Sequence, residues 1–230
     1  MSQKDKELGL RVRDHLIAKG LETPMVNNGL SDAEKRERIE AAMTEVMQTL
    51  GLDLEDDSLA ETPRRIAKMY VNELFSGLNY DNFPKCTTVE NKMASAGEFV
   101  CVRNITVNSV CEHHFLPFFN MDGKGGAVIA YIPNKNVLGL SKLSRLVEFA
   151  SSRPQIQERL CNQIMEMLKV VLDSDDVAVY IDTTHTCMSL RGVKDKTAST
   201  VTCSVGGKFL TDNNIRREFL AIARESLIAK

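Results

Sequence analysis

The chain has 230 residues, 43% of them hydrophobic and 26% charged, which is typical of a folded globular protein with one sizeable domain or a domain with an appendage. A formal net charge of −2 excludes a general attraction to nucleic acid or anionic membranes, so an anion site must be local. The sequence has no apolar run of about 18 residues and no signal-like start, so we expect a cytoplasmic protein without membrane or nucleic-acid partners.

The first part of the chain has the patterns of helices. Apolar residues recur at helical spacing within the first twenty residues. Ser31 and Glu34 have the spacing of a capping box, which predicts a long helix that ends near Leu50. Thr62 before a proline predicts the cap of another helix. We therefore expect an N-terminal helical region over residues 1–90.

Residues 91–230 have a mixed pattern, which we expect to form one domain with a C-terminal helix. We predict strands over 98–110, 125–133, 176–190 and 197–207, helices over 141–152 and 154–172, and a last helix from about residue 212. Because the strands come in pairs, the order β-β-α-α-β-β indicates an α+β fold. The exposed edges of such a small sheet favour pairing with another copy of the chain.

Histidine and cysteine cluster in two short segments, which suggests a metal site. Cys111 and His114 stand three apart after a predicted strand, next to His113. His185 and Cys187 lie two apart on another predicted strand, where we expect them to share a face. Sulfur and imidazole ligands favour Zn²⁺, and three protein ligands leave a fourth position for a water whose pKa falls to about 7.

Spacing alone does not distinguish a catalytic zinc from a structural zinc or buried thiols. The surplus histidines, together with Glu112, favour catalysis because imidazole titrates near neutrality and transfers protons.

Basic residues at helical spacing could bind phosphates. No P-loop motif is present, so side chains would have to clamp a polyphosphate. For each pair a solvated helix face is the alternative. The candidates are Arg65, Lys68, Ser141, Lys142, Arg145 and Arg191.

Gln157 and Glu158 fall about one turn into the helix predicted to start at Pro154. An amide and a carboxylate there could pair with a planar heterocycle. Spacing alone favours an ordinary surface turn of a helix.

Five segments together resemble the GTP cyclohydrolase I family over about residues 30–225. They are "DDSLAETPRRIAKMYVNELFSGL", "SVCEHHFLPF", "AYIPNKNVLGLSKLSRLVE", "RPQIQERL" and "THTCMSLRGV". The resemblance implies conversion of GTP and water to formate and 7,8-dihydroneopterin triphosphate, the first step of pterin and tetrahydrofolate biosynthesis. It also implies the tunnelling fold, whose strands form a shared barrel in a homodecamer of two pentamers, with active sites between subunits.

The resemblance also implies a role for each candidate residue. Cys111, His114 and Cys187 would hold Zn²⁺, whose water attacks C8 of guanine. His185 would move a proton as the ring opens, and His113 with Glu112 would assist acid–base steps. Gln157 and Glu158 would read the guanine edge, Ser141, Lys142, Arg145 and Arg191 would bind ribose and triphosphate, and Arg65 and Lys68 would come from a neighbouring subunit.

Three other functions have sequence requirements or consequences of their own. A zinc nucleobase deaminase needs H-x-E and P-C-x-x-C motifs, and this chain has neither. A nucleotide-binding module with a structural zinc would bind metal without releasing formate from GTP. A catalytically dead relative is disfavoured because all the expected polar residues are present.

Overall fold

The computed structural model describes residues 3–92, 98–120 and 125–225. The helices are α1 (Lys6–Ala18), α2 (Asp32–Thr49), α3 (Thr62–Met69), α4 (Leu140–Ser151), α5 (Gln157–Leu172), α6 (Thr186–Ser189), α7 (Gly207–Thr211) and α8 (Asn213–Glu225). The strands are β1 (Thr88–Glu90), β2 (Val100–Ile105), β3 (Asn108–Cys111), β4 (Pro117–Phe119), β5 (Gly126–Tyr131), β6 (Asn136–Leu138), β7 (Pro154–Gln155), β8 (Val177–His185) and β9 (Thr200–Val205). Among the described residues, no helix combines the length and apolar character needed to cross a membrane.

The N-terminal helices largely follow their capping signals. Ser31 and Glu34 exchange the two hydrogen bonds of a capping box at the start of α2, which confirms that prediction. The capping prediction for Thr62 is wrong. Glu61 holds the cap position of α3 without a capping hydrogen bond, and Thr62 is the first helical residue.

The central sheet confirms the α+β prediction. Strands β2, β5, β8 and β9 lie side by side and antiparallel in that order, with α4 and α5 between the two pairs along the chain. Within the described residues, β2 and β9 each pair on one side only and form the edges of this group of four strands. The end of β8 also pairs with β4, so that β4, β3 and β7 extend the sheet beside His185.

Three predicted boundaries are wrong. The strand predicted over 98–110 is divided into β2 and β3, and β2 itself has a shift in register at Asn104, which adopts a left-handed conformation (φ 58°). The helix predicted from Pro154 begins at Gln157, because Pro154 pairs with β3 in the parallel strand β7. The strand predicted over 176–190 ends at His185.

Two apolar clusters cover the two faces of the sheet. Helices α4 and α5 pack on one face, and α1 joins the same cluster through Val12 and Leu16, both fully buried. Burying a side chain such as Leu16 contributes about 1.5–3 kcal/mol. Helices α7 and α8 cover the other face through Phe209 and Phe219. The N-terminal region therefore shares a core with the sheet, and the division at residue 90 stays a prediction.

Candidate metal centre and active site

A tight turn after β3 places a histidine beside a cysteine. Cys111 ends β3, and its N–H donates to Leu116 O at 2.8 Å while its carbonyl accepts from Phe115 N–H at 2.9 Å. Phe115 has φ 53°, a conformation that is unfavourable for a bulky residue. Edge-on ring contacts with Tyr70 and Phe75 of the helical region hold it there. The turn therefore depends on packing against the N-terminal helices.

The third candidate ligand comes from a helical turn. Cys187 lies in α6, so the predicted strand face shared by His185 and Cys187 is wrong. Because the chain turns after His185, Cys187 folds back toward β3 and β4, and one potential ligand atom each from Cys111, His114 and Cys187 lie within 4.8 Å of one another. Cys111 is buried, Cys187 half-buried and His114 exposed.

This donor set fits Zn²⁺. Zinc bonds of about 2.0–2.3 Å hold neighbouring ligand atoms roughly 3.5 Å apart, so only a small contraction of the cluster is needed. Burial raises the pKa of the Cys187 thiol, and the adjacent Cys111 thiol raises it further. A divalent cation between the two sulfurs would remove this resistance to ionisation.

Glu112 and His113, which lie between Cys111 and His114 in the sequence, differ in their surroundings. His113 is exposed, and its Nδ1 lies 3.6 Å from Cys111 Sγ. Glu112 forms an ion pair with Arg159 of α5, and Arg159 Nε donates to Gln155 Oε1 at 3.2 Å. Glu112 is thus held to α5 by a charged hydrogen bond.

His185 is held from two sides at the end of β8. Its ring stacks on buried Phe118, and its Nε2 lies 2.8 Å from Gln157 Oε1. Burial lowers the pKa of His185, and the Glu158 carboxylate opposes this shift. The neutral imidazole is therefore favoured near pH 7, where it can accept a proton.

Gln157 and Glu158 adjoin in sequence but differ in exposure. Gln157 is buried, and its amide is surrounded by hydrogen-bond partners from β8 and β9. Its side chain thus has no free hydrogen-bonding group to offer a base. Glu158 is exposed in the first turn of α5, where the helix dipole favours its anion.

A family model described as GTP cyclohydrolase I matches residues 39–224 of the chain. The chain belongs to the GTP cyclohydrolase I family.

Curated relatives support this membership over almost the whole chain. A protein of Yersinia enterocolitica is 52% identical over 226 residues, covering 98% of this chain and 100% of its own. Proteins of Aliivibrio salmonicida and Edwardsiella ictaluri are each 53% identical, covering 94% and 97% of this chain and 96% and 99% of their own. All three are named GTP cyclohydrolase 1.

The basic candidates of this GTP cyclohydrolase I family member lie in several places. Arg191 donates to His114 Nε2 at 3.0 Å and so adjoins the candidate metal ligands. Ser141 is exposed and Lys142 half-buried in the first turn of α4, and Arg145 lines a cleft with Phe149 and Ser152.

The basic pair of α3 belongs to a different surface. Arg65 is exposed, and Lys68 lines a cleft between α2 and α3 together with Arg36 and Arg64. Among the described residues, no metal-ligand candidate lines this cleft or the cleft of Arg145.

Sequence reasoning missed four supporting residues of the site: Phe115, Phe118, Arg159 and Thr183. One of them, Thr183, could have been found from the strand spacing. Thr183 precedes His185 by two residues in a strand and therefore shares its face. The contacts of the other three join segments distant in sequence, which periodicity does not reveal.

Proposed function

We propose that this chain converts GTP and one water to formate and 7,8-dihydroneopterin triphosphate, with Zn²⁺ held by Cys111, His114 and Cys187. The convergence of these three ligand atoms within 4.8 Å is the observation that carries the proposal. The names of the three relatives support it. In this reaction C8 of guanine leaves as formate.

The chain's own residues would handle protons around the reacting ring. Bound Zn²⁺ would supply a Lewis acid that polarises water at neutral pH. His185, neutral and fixed against Phe118, would exchange protons with the imidazole portion of guanine. His113, exposed beside Cys111, would serve the later sugar rearrangement. Glu112 would act by holding the turn through Arg159.

Guanine would be recognised by Glu158. Its exposed carboxylate can accept hydrogen bonds from N1–H and the 2-amino group of guanine, a donor pattern that adenine lacks. Gln157 would support His185 from behind instead of touching the base, since its amide is already paired.

The substrate phosphates would be bound by Ser141, Lys142, Arg145 and Arg191, with Arg65 and Lys68 reaching in from a neighbouring subunit. The separate clefts of Arg145 and Lys68 support a site that is completed between subunits. The open edges β2 and β9 support the tunnelling fold, in which edge strands of adjacent copies pair into a shared barrel. The assembly would be a homodecamer of two pentamers.

Incubation of the purified chain with GTP tests the function. Formate and, after oxidation, a fluorescent pterin should appear in equal amounts. A chelator should abolish both products, and added Zn²⁺ should restore them. Metal binding without formate would instead favour a nucleotide-binding module with a structural zinc.

A further inference from the structure

The side-chain amide of Gln157 has only one possible orientation. Its Nε2 lies 2.8 Å from Thr200 O and 3.2 Å from Ile181 O. Backbone carbonyls only accept hydrogen bonds, so the atom facing them must be the amide NH₂. The side chain is 1% exposed, and solvent cannot substitute for these partners if the amide flips.

With the NH₂ group fixed, Oε1 must face the other way. It lies 2.6 Å from Thr183 Oγ1 and 2.8 Å from His185 Nε2. An amide oxygen only accepts, so the Thr183 hydroxyl and His185 Nε2 must both donate to it. These two donors use both lone pairs of the oxygen.

We propose that Gln157 and Thr183 are positioning residues that hold His185 as the tautomer protonated on Nε2, so that Nδ1 is the atom that exchanges protons with the substrate. This inference rests on the proposed function for the substrate, but the tautomer itself follows from contacts within the chain.

The arrangement keeps the imidazole in one orientation throughout a proton transfer. Rotating the ring by half a turn would place a C–H group against Gln157 Oε1 and leave that acceptor short of one donor. The Phe118 ring, 4.6 Å away between centroids and 6° from parallel, restrains tilting. Among the described residues, His185 Nδ1 has no hydrogen-bond partner, so it is free to face a ligand. A proton accepted at Nδ1 can be returned from the same atom while the Nε2–H bond persists.

Solid-state NMR of the zinc-loaded full chain, without GTP, tests the tautomer. The protein is labelled with ¹⁵N in the histidine rings and measured at about pH 8, above the ordinary histidine pKa of about 6.5. The spectrum of His185→Asn identifies the His185 signals among four histidines. We expect a protonated Nε2 and an unprotonated Nδ1. A protonated Nδ1 would overturn the proposal, whether or not the protein turns over GTP.

Kinetics test the role of Thr183. Thr183→Val removes the hydroxyl donor at similar volume and should lower kcat about tenfold with KM unchanged. Thr183→Ser, which retains the donor, should restore kcat, whereas equal impairment of both variants would indicate a packing role and contradict the proposal. Thr184→Val, on the opposite face of β8, is the matched control and should keep wild-type kcat. If Thr183→Val does not fold, the NMR spectrum of the wild type still tests the tautomer, and a lowered kcat of Thr183→Ser would still contradict the proposed role of the hydroxyl. Absence of formate from the wild type would refute only the proposed function.

Discussion

The rings of His185 and Phe118 lie face to face, with centroids 4.6 Å apart and planes 6° from parallel. The two residues are also direct partners in the pairing of β8 with β4. Because Phe118 is fully buried, the stacked ring is a rigid surface against which the imidazole is held. The orientation of the proposed proton carrier is thus set by the core of the sheet.

Phe118→Leu should lower kcat for GTP about tenfold, because leucine fills much of the space without a flat surface for the imidazole. Zinc content should stay at the wild-type level, which metal analysis can check. Phe119→Leu changes the adjacent, half-buried residue and should have a much smaller effect on kcat. Equal kcat losses in both variants would argue against a specific role for the stack.

Substitution of a proposed metal ligand and of the proposed proton carrier should affect zinc content differently. Cys187→Ser should lose bound zinc and formate release together, because it removes a soft thiolate ligand. His185→Ala should retain zinc but lose turnover by about 100-fold or more. Cys203→Ser is the matched control, since that exposed cysteine lies on β9 outside the ligand cluster. Full turnover by His185→Ala would refute its proton role.

The Glu112–Arg159 ion pair should behave as one unit in catalysis. Glu112→Gln and Arg159→Gln should each lower kcat, because each frees the turn that holds His113 and His114. The kcat of the double variant should be close to that of the less active single variant, since both substitutions remove the same interaction. If Arg159→Gln keeps wild-type kcat while Glu112→Gln abolishes activity, Glu112 acts directly in the chemistry.

Glu158→Gln should reduce the preference for GTP over ATP, because a neutral amide loses one of the two acceptors that face the guanine donors. We expect kcat/KM for GTP to fall at least about tenfold, with little change in zinc content. The measurement compares kcat/KM for both nucleotides. Unchanged discrimination would exclude Glu158 as the reader of guanine.

The contact between α1 and α5 should weaken in acid. Glu166 is buried, which by itself raises its pKa, but hydrogen bonds from Lys169 and His15 outweigh burial and hold the pKa below the ordinary value. Lys19 also faces this carboxylate, and Asp175 contacts Lys169 at 3.6 Å. A carboxyl group whose pKa is lower in the folded state than in the unfolded state stabilises the fold at pH values above its unfolded-state pKa of about 4.3. This contribution is lost as the pH falls through the folded-state pKa.

Glu166→Gln should therefore lower the free energy of unfolding by about 1–3 kcal/mol at pH 7, and by progressively less below about pH 4. Urea unfolding across this range measures the difference. Glu218→Gln, on the exposed face of α8, is the control and should stay within about 0.5 kcal/mol of wild type. A constant effect of Glu166→Gln at every pH would show that the charge of Glu166 is not responsible.

Local signals were sufficient where neighbours in sequence act on each other. The capping box of Ser31 and Glu34 needs only one turn of helix, and it forms as predicted. The paired strands with two helices between them also follow from periodicity, since each element buries one face. Local signals failed at Pro154, which is a good first residue for a helix but is used in a strand beside β3.

By itself, the sequence determined the α+β class, the order of elements and the two segments that supply sulfur and imidazole ligands, because these depend on local propensity and residue chemistry. Only the tertiary structure decided that Cys187 reaches Cys111 from a helical turn, that Phe118 stacks on His185 and that Gln157 is enclosed. These relationships join residues far apart in the chain, and they form because packing and the pairing of buried polar groups are satisfied across the whole fold.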